Sequence, residues 1–341
     1  MTILIEENLF FLLTLIIFNS IIFIYIDKIS KIFDIFDFPD TVRKYHSMPT
    51  PLIGGLIIFI NFCLSALYIY FFETSLVYEY FNSSSNFYFF ILFSSTIFFI
   101  GIFDDKYEIP AIFKLFLVTI VVILTIYSNE NFRIIDIRLS FFSDKLNLDQ
   151  FALAFTLICY LLFMNALNMF DGVNLQSGTY LLFLIIFLIS FSIMTLLSLT
   201  LLISIIFFVI LNFKGKIFMG DSGTLFISFI FSCFIISEYN YNNLITADRI
   251  FLLMAIPGFD LIRLFILRIS SGQSPFSADR NHLHHYLSIY HTNTTSIILI
   301  NSMIIIPFIL SIYLNNNFIP IILSLILYIL CIKKYNKKKD D

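Results

Sequence analysis

The feature that most limits what this chain can become is the repetition of long apolar runs with few charges. Eleven stretches of near-spanning length occur, at about 8–26, 52–72, 87–103, 111–127, 150–168, 179–194, 197–213, 222–238, 249–268, 293–314 and 318–332. A helix needs roughly 17–25 apolar residues to cross a bilayer core. Within lipid the backbone polar groups must be satisfied inside each segment, which leaves helices as the local solution. Charged residues make up only 13% of the 341, against about 25% in soluble domains. The expected fold is an all-α polytopic integral membrane protein of about eleven helices. Ten would result if 179–213 were one span, but that run is too long for one helix and short for two. A break is expected near Leu196–Ser198.

No soluble domain is left over, so residues 1–341 read as a single membrane-embedded domain with a basic tail at 333–341. The first run follows Glu6 and Glu7, without a basic leader or a small-residue cleavage site, and is expected to be a retained helix. Cys63, Cys159, Cys233 and Cys331 all lie inside apolar runs, with neither metal-ligand spacing nor a disulfide framework.

Lysine and arginine set the expected orientation. With eleven spans, one side holds 16 of these 20 residues and the other holds Arg133, Arg138, Lys145 and Arg249. The richer side is expected to be cytoplasmic, with the N-terminus outside and the C-terminus inside. The tail K-K-Y-N-K-K-K then sits beside anionic lipid. Outside, residues 128–149 alternate loosely enough for a short hairpin.

Every unusual polar cluster falls on the cytoplasmic side. Residues 38–55 carry Arg43, Lys44 and His46, a set that can meet phosphate, then Gly54 and Gly55, which let a helix or lipid chain approach closely. Asp104 and Asp105 end an apolar run, and adjacent like charges at a membrane boundary call for a cation or a proton. Lys114 lies within reach of a phosphate. Residues 165–174, N-A-L-N-M-F-D-G-V-N, space Asn165, Asn168, Asp171 and Asn174 three apart, on one helical face. Gly220 and Gly223 bracket Asp221 and Ser222 at a helix start, which suits a metal, an anion or a simple N-cap. Asp260 and Arg263 are spaced to pair within a helix. His282, His284 and His285 follow Asp279 and Arg280. Zinc is one reading of the histidines, but no cysteine is near, and nucleotide or diphosphate contact fits better.

Carboxylates and cations from separate loops describe a Mg²⁺–phosphate site. The Walker pattern is absent, which argues against P-loop ATP chemistry. A transporter of phosphorylated solutes would place ionisable residues near the midplane. Only Asp260 and Arg263 form such a pair.

Five motifs in order, R-K-Y-H-S-M-P-T-P-L-I-G-G, F-D-D, N-A-L-N-M-F-D-G-V-N, F-M-G-D-S-G and S-P-F-S-A-D-R-N-H-L-H-H, resemble the bacterial polyprenyl-phosphate N-acetylhexosamine-1-phosphate transferase superfamily. The similarity covers residues 38–291. The resemblance implies transfer of a sugar 1-phosphate from a UDP-sugar to undecaprenyl phosphate in the bacterial cytoplasmic membrane, with release of UMP. It further implies Mg²⁺ as cofactor, with Mn²⁺ able to substitute, a homodimer as an option, and no nucleic-acid partner. Carried over, Asp104 and Asp105 match an aspartate pair of which one deprotonates the lipid phosphate. Asp221 matches the magnesium aspartate, with Asn168 as a second metal-side residue. Asp171 and Asn174 match positions near the nucleotide diphosphate, and His282, His284 and His285 match the nucleotide-sugar motif. His46, Lys114 and Arg280 join these as substrate-binding candidates. The H-L-H-H form resembles initiators of O-antigen, enterobacterial common antigen or teichoic acid more than the muramoyl-pentapeptide branch, which stands as the alternative. The family pattern D-G-x-N-G-L lacks its second glycine here, where D-G-V-N runs into L-Q-S-G. The loop after Asn174 is therefore expected to be shaped differently.

Overall fold

A computed structural model describes residues 2–39, 48–241, 245–277, 279–314 and 316–337. The chain forms helices α1 (Thr2–Glu7), α2 (Leu9–Phe33), α3 (Gly54–Phe72), α4 (Thr74–Phe81), α5 (Ser84–Tyr107), α6 (Ala111–Ser128) and α7 (Ala152–Phe170). These are followed by α8 (Gln176–Ser190), α9 (Thr195–Phe213), α10 (Gly220–Tyr241), α11 (Ala247–Ser270), α12 (Leu283–Ser288), α13 (Asn293–Leu314) and α14 (Phe318–Lys337). Among the described residues ten helices are long and apolar enough to cross a membrane. The protein is an all-helical, multi-pass membrane protein.

The uncertain region 179–213 resolves into two helices, but the break lies at 191–194 and not near Leu196–Ser198. Ser192 and Met194 take positive φ values of 57° and 40°, which an α-helix cannot contain. Hydropathy could not mark this break because the linking residues are themselves apolar. With 15 residues, α8 is shorter than the other spans; at ~1.5 Å per residue it reaches only about 22 Å.

Helix α10 is the axis of the bundle. Nearly every residue from Ser222 to Ser237 is buried, as expected of a helix that is apolar all round. Its serines return hydrogen bonds to their own helix, Ser228 to Thr224 O at 2.6 Å and Ser232 to Ser228 O at 2.8 Å, so they carry no unpaired hydroxyl into the core. Phe59, Phe62 and Phe98 pack edge-on around Phe226, with centroids 5.4, 5.2 and 5.9 Å away.

Two glycines let neighbouring helices reach the N-terminal end of α10. A Cβ on Gly55 of α3 would lie 2.3 Å from Gly223 N, and one on Gly101 of α5 would lie 2.3 Å from Ser222 Cα. The close approach expected at Gly55 is therefore made by a helix. Backbone bonds stitch the same region together: Gly54 N donates to Phe218 O at 2.9 Å, Gly55 N to Met219 O at 3.0 Å, and Phe218 N to Pro51 O at 2.9 Å. Two small antiparallel ladders complete the fold. Strand β1 (Phe36–Asp37) pairs with β2 (Thr50–Pro51), and β3 (Asp136–Ile137) pairs with β4 (Leu146–Asn147), the hairpin expected within 128–149.

Candidate functional site

The α10 N-terminus, held by these contacts, carries a cluster of ionisable groups. Gly220 has φ +75°, and a Cβ there would lie 2.6 Å from Asp105 Oδ2, so backbone conformation and space both require glycine. The Asp105 carboxylate accepts the backbone N–H of Asp221 at 2.7 Å and of Ser222 at 3.0 Å. It therefore caps α10 from a neighbouring helix, satisfying donors left open in the first turn. Asp104, its neighbour in sequence, does something else. Its Oδ2 accepts from Lys114 Nζ at 2.7 Å, and the same ammonium bonds Asp221 Oδ2. Lys114 of α6 thus lies between two carboxylates from α5 and α10.

Asn168 of α7 donates its Nδ2 to Asp221 Oδ2 at 3.1 Å, while its Oδ1 accepts from Thr224 Oγ1 at 3.0 Å. Asn168 therefore orients Asp221, and its own oxygen is occupied by Thr224. Thr224, three residues after Asp221 on the same helical face, was not among the sequence candidates. Among the described residues, no three His, Cys, Asp or Glu side chains converge to form a metal cage. The groups that could hold a cation here are Asp104 and Asp221, both hard oxygen donors.

The Asp171 loop links this cluster to the histidines. Asp171 follows the last residue of α7, and Ser177 donates its hydroxyl to Asp171 Oδ1. Burial, helped by the negative charge of Asp221, pushes the Asp171 carboxyl up to about 6 against the pull of Ser177. At Gly172 a Cβ would lie 2.1 Å from His284 Nε2. The imidazole is seated directly on that backbone, so Asp171–Gly172 touches both halves of the site. Asn174 follows, half-buried. Leu175 occupies the position where the family pattern has its second glycine. Its φ of 71° is the left-handed conformation glycine prefers, which costs a larger residue about 1–3 kcal/mol. Its N–H donates to Asn212 Oδ1 at 2.6 Å, which offsets part of that.

The histidines are carried by α12, a helix of six residues with His282 as its N-cap. The ring centroids of His282 and His285 are 5.2 and 4.2 Å from that of His284. Burial, together with the charges of His285 and His282, drives His284 well below the usual histidine value. Burial, His282 and Arg280 bring His285 down to about 4. Both are neutral near pH 7, and the buried His284 Nε2 has no hydrogen-bond partner among the described residues. The approach to α12 is fixed by Arg268, which donates to Asp279 Oδ2 and to Pro275 O, both at 2.7 Å. That contact holds the Asp279 carboxyl below its ordinary value despite burial. Arg280 is exposed at the edge of this loop. Asp260 supports the helix from below, its Oδ2 accepting Leu283 N at 3.1 Å and its Oδ1 accepting Arg263 Nη2 at 2.7 Å. The Asp260–Arg263 pair is therefore no transport site within the bundle but a support for the histidine helix.

Of the sequence candidates, Asp104, Asp105, Lys114, Asn168 and Asp221 form one connected cluster. Asp171 adjoins it, and His284 reaches it through Gly172. His46, with Arg43 and Lys44, lies outside the described residues.

Residues 87–238 match the model of glycosyl transferase family 4, the segment that carries the whole acidic cluster and the Asp171 loop. The chain is 28% identical over 261 residues to the probable undecaprenyl-phosphate N-acetylglucosaminyl 1-phosphate transferase of Bacillus subtilis, an alignment covering 73% of this chain and 68% of that protein. It is 24% identical over 296 residues to the undecaprenyl-phosphate alpha-N-acetylglucosaminyl 1-phosphate transferase of Salmonella typhi, covering 80% and 74%. With the enzyme of the same name from Yersinia pestis the identity is 26% over 266 residues, covering 72% and 67%. The matched segment holds the acidic cluster in the order and spacing read from the sequence, and over that segment the chain is similar to glycosyl transferase family 4.

Proposed function

We propose that this protein transfers a sugar 1-phosphate, from a UDP-N-acetylhexosamine, to undecaprenyl phosphate and so starts a lipid-linked surface glycan. The observation that carries the reading is the Asp104–Lys114–Asp221 contact, made by three helices at one end of the bundle and joined through Asp171–Gly172 to the histidine helix. The names of the relatives supply the acceptor and the transferred group. In this reading the active end faces the cytoplasm of the bacterial inner membrane, an orientation that the lysine and arginine bias of the sequence supports.

The division of the two aspartates assigns the chemistry. Asp105 is engaged by backbone donors and keeps α10 in place. Asp104 is then the group that takes the proton from the lipid phosphate. A freed phosphate oxygen attacks the β-phosphorus of the UDP-sugar, a new P–O–P bond forms, and the bond to the bridging oxygen of UMP breaks. Lys114 neutralises charge on the diphosphate. His282, His284 and His285, with Arg280 at the rim, hold the nucleotide-sugar side, Asp171 and Asn174 lie beside the diphosphate, and Asn168 keeps Asp221 in register. Asp104 and Asp221 fit Mg²⁺, which is commonly held by one or two carboxylates and completed by substrate phosphates, and the gap between them already accepts the Lys114 ammonium. When bound, Mg²⁺ would supply charge neutralisation at the diphosphate.

The test is a panel of radiolabelled UDP-sugars given to purified protein with undecaprenyl phosphate, with and without Mg²⁺. Release of UMP with a labelled lipid product is expected. Uptake into vesicles without UMP release would overturn the reading.

A further inference from the structure

Six residues of helix are too few to hold their own shape in isolation, so α12 depends on what surrounds it. His282, its N-cap, makes no capping bond with its side chain. The cap is supplied by Asp260 of α11, through Leu283 N. Asp260 must in turn be oriented, and Arg263 one turn along the same helix does this in part.

His282 Nδ1 lies 3.6 Å from Asp260 Oδ2, and further support comes from α14. Tyr328, buried at 4% exposure, donates its hydroxyl to Asp260 Oδ1 at 2.8 Å and accepts from Arg263 Nε at 2.7 Å. Arg263 also donates to Asn281 O, just before the helix, and its guanidinium lies 5.6 Å from the Tyr286 ring centroid. A second tyrosine of α14 holds the other flank: Tyr335 Oη lies 2.6 Å from His291 Nε2, and its ring lies 5.5 Å from that of Tyr290. One helix therefore touches the frame of α12 at both ends. That helix lies beyond the segment 87–238 that carries the acidic cluster.

We propose that Tyr328 is a positioning residue for the nucleotide-sugar half of the site, acting through Asp260 and Arg263 on the histidine helix. This rests on the function proposed above. The hydroxyl, from a third element, bonds both members of the Asp260–Arg263 pair. Without it, Asp260 can turn away from Leu283 N and Arg263 Nε loses its acceptor. The histidines then lose their set distance from Gly172, while the acidic cluster around Lys114 is untouched. Substrate binding should suffer more than the chemical step.

Tyr328→Phe keeps the ring packed on Phe259 and removes only the hydroxyl. Tyr313→Phe, on the exposed face of α13, serves as control. Two measurements are made on full-length purified protein. In hydrogen exchange, residues 279–288 should exchange faster in Tyr328→Phe than in wild type or control, with the spans unchanged. In steady-state assays the KM for the UDP-sugar should rise at least fivefold with kcat within twofold. Unchanged exchange in 279–288 would overturn the proposal, as would a fall in kcat at constant KM. Should the wild type release no UMP from any UDP-sugar, the proposed function fails, while the exchange experiment still decides whether Tyr328 orders the histidine helix.

Discussion

Asp105 holds Asp221 by its backbone, accepting the Asp221 N–H at 2.7 Å and the next N–H, from Ser222, at 3.0 Å. Two aspartates adjacent in sequence therefore do different work, Asp105 fixing the helix on which Asp221 stands and Asp104 facing Lys114. Asp105→Ala should remove a helix cap, worth about 0.5–2 kcal/mol, and lower the melting temperature as well as activity. Asp104→Ala should abolish turnover with the melting temperature unchanged. Thermal melts paired with transferase assays separate the two, and equal melting losses would contradict the division.

Lys114 stands where a divalent cation would compete for the same carboxylates. Replacing it with glutamine removes that competitor and also a charge that stabilises the diphosphate. Lys114→Gln should lower kcat by about a hundredfold to a thousandfold, the range of losses seen when one charge-stabilising donor is removed, while lowering the Mg²⁺ concentration for half-maximal rate. A higher Mg²⁺ requirement in a metal titration would show that the lysine assists metal binding.

Gly172 is in contact with a side chain, whereas Gly101 is in contact with backbone. A Cβ at Gly172 would press on the His284 ring at 2.1 Å, and one at Gly101 on Ser222 Cα at 2.3 Å. Gly172→Ala should displace His284 and raise the KM for the UDP-sugar about tenfold, a loss of about 1.4 kcal/mol, with a small effect on melting. Gly101→Ala must separate two helices, and overpacking of this kind costs about 1–3 kcal/mol. Melting curves should show the larger loss at Gly101, and the reverse order would argue against the packing described here.

Asp171 gives a pH dependence whose sign follows from burial. Its carboxyl is raised to about 6, above the usual value, so the folded protein binds that proton more tightly than the unfolded chain does. The contribution to stability is therefore full below the unfolded value near 4 and is lost as pH rises through 6. Asp171→Asn should raise the melting temperature at pH 7.5 and leave it close to wild type near pH 4. His284 and His285 are held neutral in the folded protein by burial and by neighbouring positive charge, whereas in the unfolded chain they take up protons near pH 6.5, so they lower stability as pH falls below about 6.5, in wild type and variant alike. Melts across pH 4–8 test both points, and a variant no more stable than wild type at pH 7.5 would refute the burial argument.

The helices were legible because hydropathy and run length are local properties. The break within 179–213 was misplaced because Ser192 and Met194 turn the chain through dihedral angles that their composition does not announce. The loop after Asn174 illustrates the same limit. Leu175, where the family pattern has glycine, takes the left-handed conformation and is held through Asn212, which lies 37 positions away. Thr224 and Ser177 escaped notice because a hydroxyl becomes informative only when a carboxamide or carboxylate faces it.

The sequence by itself determined a multi-pass helical protein, its loops of unusual polarity, and the residue types able to meet phosphate and cation. Tertiary structure decided which of those residues meet. Gly55 and Gly101 let α3 and α5 close on α10, and that approach brings Asp104, Lys114 and Asp221 together and leaves Asp105 as a cap. It also set His284 on Gly172 and tied the histidine helix to Tyr328. These contacts depend on helix crossings and on donor and acceptor directions between segments far apart in the chain. Apolar periodicity records only that a helix has a buried face, not which partner buries it.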